Sequence, residues 1–97
     1  MKPSDLLHQA GTELAQRGYH KGDLTGLNGE VCALGAMHYA AMALVPGLQT
    51  YTQALGYLRQ AGQIVHITSW NDDPHTTAED VALAFKQAEA AALEAGE

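Results

Sequence analysis

The sequence predicts a mostly α domain: a compact bundle of about four helices, with a small loop or β-hairpin insert before the central helix. Three observations carry that prediction. Seventeen residues are alanine, while Phe and Trp occur once each, so the core must be built from Leu and Ala on closely packed helices. Apolar residues recur at three- and four-residue steps in several segments. Glycine and proline punctuate the intervals, at 18–29, 46–47 and 62. A chain of 97 residues supports one domain, 1–97, because a second would leave neither half enough apolar surface to bury. The expected radius of gyration is about 12–13 Å.

The first helix is bounded at both ends. Ser4 is the expected N-cap, Asp5 sits where the macrodipole favours a carboxylate, and Arg17-Gly18 closes the helix. Leu6, Leu7, Ala10 and Leu14 share one face, with Gln9, Glu13 and Gln16 elsewhere. Residues 18–30 hold Gly18, Gly22, Gly26 and Gly29 and cannot be helical. Asn28-Gly29 is a hairpin signal, which allows a two-stranded ribbon around Leu24 and Val31 that must lean on the helices.

Residues 31–45 are apolar nearly all round, with His38 the one imidazole, and Pro46-Gly47 stops them. The run is too short for a bilayer span, which needs about 20 residues. A helix without a polar face belongs in the middle of a bundle, so this is the expected central helix, with His38 a core histidine. The third helix runs from about Leu48 to Ala61 on a stripe of Leu48, Tyr51, Leu55 and Leu58, and Gly62 stops it. Gly11, Gly35 and Gly56 interrupt the first three helices and are expected to let helix axes approach.

Gln63 to Trp70 is β-branched enough for a short strand, though strand and helix both remain open. Asn71-Asp72-Asp73-Pro74 reads as a turn, and Thr76 with Glu79 as the capping box of a last helix running to about Ala95. Val81, Phe85, Ala88 and Ala92 form its buried stripe.

The net charge of −6 is too acidic for a basic nucleic-acid face. Residues 49–97 carry −5 of it, so a basic protein partner would feel the C-terminal half. A single cysteine cannot form an internal disulfide, no Cys/His spacing matches a zinc site, and no cofactor-binding motif is present. The opening residues run straight into an amphipathic pattern without a secretory signal, from which a cytoplasmic location is expected.

Two stretches carry a resemblance. One is Arg17-Gly18-Tyr19 through Gly22, then Gly29-Glu30-Val31-Cys32-Ala33-Leu34-Gly35-Ala36; the other is Trp70-Asn71-Asp72 with Pro74 and Thr77 ahead of an Ala/Leu-rich helix. The pattern resembles a family of small proteins of unknown function from actinobacteria and their phages. That resemblance implies a small, cytoplasmic, mostly helical protein and no established activity or cofactor. The family pattern tends to place Gly-Arg after the proline, where this chain has His75-Thr76. Without that Arg, an anion-binding turn is not expected.

Two places could hold chemistry. Cys32 at the start of the apolar helix, with His66 and Asn71 later, follows the order nucleophile, base and orienting amide of a thiol hydrolase or transferase. The competing reading makes Cys32 a small buried hydrophobe. Asn71, Asp72, Asp73 and His75 gather oxygen and nitrogen ligands in five residues, but without a metal-loop spacing. Turn bonds and dipole compensation explain them as well, and Trp70 is expected to be a core anchor with its indole N–H on a carbonyl. The leading expectation is therefore a non-enzymatic interaction or accessory protein. Its contact surface would comprise Asn71, Asp72, Asp73, His75 and Asp80 on the last turn and helix. A homo-oligomeric structural or virion component is the remaining alternative.

Overall fold

A short-range polar bond starts the first helix. In the computed structural model, which describes residues 1–97, α1 spans Pro3–Arg17 with Lys2 at the cap position. Proline at the first helical position suits its fixed φ and missing N–H. The Asp5 carboxylate accepts the Lys2 N–H at 3.0 Å. Ser4 is therefore not the cap but lies inside the first turn, where its N–H and hydroxyl donate to the Glu97 carbonyl at 3.0 and 3.1 Å. A carbonyl remote in sequence thus satisfies an orphan amide of α1.

Four further helices follow: α2 at Ala33–Leu44, α3 at Leu48–Gly62, α4 at Ile67–Asp72 and α5 at Ala78–Glu94. The architecture is the expected helical bundle, with a radius of gyration of 12.0 Å. Its centre differs from expectation. α1 is the hub, packing against α2, α3 and α5, while α3 also packs on α5 and α4 rests on α2. The apolar α2 buries Ala33, Gly35, Ala36, Met37 and Ala40, but His38, Met42 and Ala43 face outward. A run that is apolar all round does not choose its buried side; α1, with one continuous Leu/Ala stripe, can touch three neighbours at once. No helix is long and apolar enough to cross a membrane.

Most predicted core positions are buried, including Leu6, Leu7, Ala10 and Leu14 of α1, Leu58 of α3, and Val81, Phe85, Ala88 and Ala92 of α5. Leu48 is 82% exposed because it opens α3 before the helix meets the bundle. Glu13, assigned to the outer face, is buried. Its carboxylate holds Arg17 at 3.4 Å, and that guanidinium lies 3.7 Å from the Tyr39 ring centroid. The α1–α2 boundary is thus covered by an amphipathic stem rather than a hydrophobe.

Residues 18–32 form no hairpin. Val31 instead makes two isolated bridges, parallel to Tyr19 and antiparallel to Thr25. The His20 N–H donates to the Val31 carbonyl and the Val31 N–H to the Gly18 carbonyl, both at 2.9 Å. Gly29, with φ of 87°, supplies the turn backbone that Asn28-Gly29 announced. The segment is a loop folded onto Val31, too short in each arm to make strands.

Only one of the three helix-interrupting glycines is required by close approach. A Cβ on Gly35 would lie 2.1 Å from the Leu24 carbonyl oxygen, so this glycine admits the loop, not another helix axis. The corresponding position on Gly11 meets Phe85 at an ordinary 3.8 Å, and Gly56 faces open space.

The segment left open between strand and helix is helical from Ile67, and Asn71 and Asp72 belong to α4 rather than to a turn. The turn begins at Asp73, with the Thr76 N–H donating to its carbonyl at 3.0 Å. The last capping box lies one residue beyond the predicted pair: Thr77 Oγ1 accepts from the Asp80 N–H at 3.2 Å and the Asp80 carboxylate from the Thr77 N–H at 2.9 Å. Thr76 is buried beneath it.

Candidate functional site

The two sequence stretches that carry the resemblance, 17–36 and 70–77, meet in space around one amide. Asn71 is fully buried. Its Oδ1 accepts the Ala33 N–H at 2.9 Å, capping α2 from outside the helix. Its Nδ2 donates to the His20 carbonyl and to Asp72 Oδ1, each at 3.1 Å. The Tyr19 hydroxyl donates to the Asn71 carbonyl at 2.5 Å. Every polar function of Asn71 is engaged, as burial requires. Asn71 therefore offers nothing to a partner, and its expected place on the contact surface gives way to a structural one.

Asp72 extends the junction toward solvent. Its Oδ1 also accepts the Gly22 N–H at 2.9 Å. That backbone bond is the main reason its carboxyl is held below the ordinary value of 3.8, helped by the Asn71 amide and by the positive charge of Lys21. Lys21 Nζ donates to the Asp73 carbonyl at 2.6 Å. The loop 19–22 is thus pinned to the end of α4 at several points. One imidazole atom inside it, His20 Nε2, is buried without a hydrogen-bond partner.

The thiol arrangement does not assemble. Cys32 is buried and is the N-cap residue of α2, its Sγ accepting the Gly35 N–H at 3.2 Å. His66 is exposed at the start of α4, with no hydrogen bond to the sulfur, and Asn71 is occupied as described. Trp70 packs half-buried against the core, but its indole makes no hydrogen bond to a carbonyl. His38 is exposed, its ring edge-on to Tyr39. No three His, Cys, Asp or Glu side chains converge as metal ligands.

The surface residues sort differently. Asp72, Asp73, His75, Glu79 and Asp80 are all exposed. Asp73 Oδ1 accepts the His75 N–H at 2.8 Å and Asp80 caps α5, leaving their outer oxygens to solvent. The ion pairs of the structure are His8–Glu89 and Arg17–Glu13, so the four carboxylates here are unpaired. Tyr19 marks their inner edge: burial first, then the charge of Asp72, with smaller contributions from Cys32 and Asp80, pushes its phenol above 10.0.

Sequence reasoning missed a furrow between α1 and α5 that leads to this edge. One cleft of about 500 Å³ is lined by His8, Gly11, Thr12, Ala15, Ala82 and Lys86 among others. A second, of about 330 Å³, shares Gly11, Ala15 and Ala82 with it and ends at Tyr19, Ala78 and Glu79. The His8–Glu89 bond, at 3.2 Å, bars its far end. Small residues four apart, Gly11 with Ala15 and Ala78 with Ala82, were the available signal. Their meaning depended on α1 and α5 lying side by side.

The chain matches no curated protein and no solved structure. A family model described as "Family of unknown function (DUF6197)" matches residues 1–91, which include both halves of the Asn71 junction. With nearly its whole length covered, the chain belongs to that family.

Proposed function

We propose that this protein is a non-enzymatic interaction module, an accessory protein of the cytoplasm that binds a basic segment of another protein. Its resemblance to small actinobacterial and phage proteins fits that role. The observation that carries the reading is the α4–α5 junction, where Asp72, Asp73, Glu79 and Asp80 stand exposed and outside any ion pair, the ammonium of nearby Lys21 being bonded to the Asp73 carbonyl instead. Unpaired like charges within nine residues repel one another, and a Lys- or Arg-bearing partner relieves that repulsion. Beneath Asp72, the end of α4 is tied through Asn71 to the Ala33 N–H and the His20 carbonyl.

The test replaces these side chains by isosteres that keep the capping acceptors, as D72N/D73N/E79Q/D80N. Affinity capture from a lysate of the native host is expected to recover a basic protein with the wild type, in a salt-sensitive manner, and to lose it with the variant while circular dichroism is unchanged. Capture that ignores both salt and the four substitutions overturns the proposal.

A further inference from the structure

Building on that reading, we infer that the furrow between α1 and α5 seats an amphipathic helix of the partner, oriented with its basic end over the α4–α5 junction. The shape argues for a helix. Along the furrow the walls are set by Gly11 and Ala15 on one side and Ala78 and Ala82 on the other, and the floor by Leu7, Leu14 and Phe85. Small residues at four-residue spacing let a third helix approach the groove between two others, ridges into grooves. From His8 to the end of α1 at Arg17 the furrow follows about 15 Å of helix, which accommodates nearly three turns of a ligand helix.

The charge argues for the occupant's chemistry and direction. One end of the furrow is closed by the His8–Glu89 pair, and the other opens at Tyr19 and Glu79. Asp72 and Asp80 are close enough to that end to raise the Tyr19 pKa. A second copy of this chain, at net −6, would bring like charge to the same place. A partner helix with Ala, Leu or Val at positions i, i+3, i+4 and i+7 and Lys or Arg at one terminus matches the furrow at both ends. The mode is helix in groove, with electrostatics setting polarity.

The experiment uses the full chain and a designed peptide of about 15 residues with an Ala/Leu stripe and a Lys-rich end. Its control is a scrambled peptide of identical composition. The furrow is filled by A15L/A82L, and folding is checked by circular dichroism. Because Ala15 is exposed and Ala82 only partly buried, A15L alone serves if the double variant is unstable. The patterned peptide is expected to bind at least about tenfold more tightly than the scrambled one, and filling the furrow should remove that advantage. Equal binding of both peptides, or binding indifferent to A15L, overturns the furrow while leaving the acidic surface standing. Binding that needs the furrow but survives D72N/D73N/E79Q/D80N removes the charge-directed orientation. Failure of both peptides to bind overturns the furrow, while the acidic surface stands or falls by the lysate capture.

Discussion

Asn71 caps a helix that precedes it by 38 residues: its Oδ1 accepts the Ala33 N–H at 2.9 Å. The bond ties α4 to the N-terminus of α2, and the same amide holds the glycine-rich loop through the His20 carbonyl. Asn71→Ala would leave a buried donor and a buried acceptor unsatisfied, costing about 2–4 kcal/mol. Urea unfolding measures it, and a change within about 0.5 kcal/mol of wild type would show the junction is not structural.

The glycines divide by what surrounds them. Gly35→Ala drives a methyl into the Leu24 carbonyl and should cost roughly 2–3 kcal/mol, since backbone cannot yield as a side chain does. Gly56→Ala meets open space inside α3 and should stabilise by about 1 kcal/mol. Denaturation midpoints of the two variants should therefore move in opposite directions.

Val45 ends α2 in the left-handed region, at φ of 51°, and is 80% exposed. A β-branched side chain there is strained and buries little. Val45→Gly is expected to raise stability by about 1 kcal/mol, read as a higher thermal midpoint. A lower midpoint would mean the valine packs in solution.

Asp72 gives a pH signature. Its carboxyl is lowered from 3.8, first by the Gly22 N–H, so its ionised form favours the folded state. The contribution is complete above the unfolded value and disappears as pH falls through the folded one. The stability difference between wild type and D72N should hold constant from pH 7 to pH 5 and shrink below about pH 4. A difference that grows on acidification would reverse the assignment.

Cys32 should resist iodoacetamide in the native protein and react promptly in denaturant, because the sulfur is enclosed and accepts the Gly35 N–H. Fast labelling of the folded chain would return the thiol to consideration as a nucleophile.

The elements were legible where local physics is decisive. The Leu/Ala stripe of α1, the Pro46-Gly47 stop, the stripe of α5 and the non-helical 18–30 loop each follow from spacing or backbone preference. The segment left open between strand and helix was short: Ile67–Asp72 is a single helical stretch of six residues, below the length at which periodicity separates helix from strand. The caps shifted by one or two residues because neighbouring Thr76 and Thr77, or Lys2 and Ser4, compete for one geometry.

The candidate site was half visible. Exposed carboxylates at 72, 73 and 80 could be read directly, since charge without an apolar context stays in water. Asn71 could not be separated from them, because an amide serves equally at a surface and as a buried connector.

By itself the sequence determined a mostly helical fold, the faces its amphipathic helices bury, and an acidic C-terminal half. Those properties depend on composition and on side chains within a few positions of each other. Only the tertiary structure decided that α1 rather than α2 lies at the centre, that Asn71 joins two distant segments, and that α1 and α5 leave a furrow ending at Glu79. Each of these depends on which surfaces meet, a matter of shape between elements that no local pattern encodes.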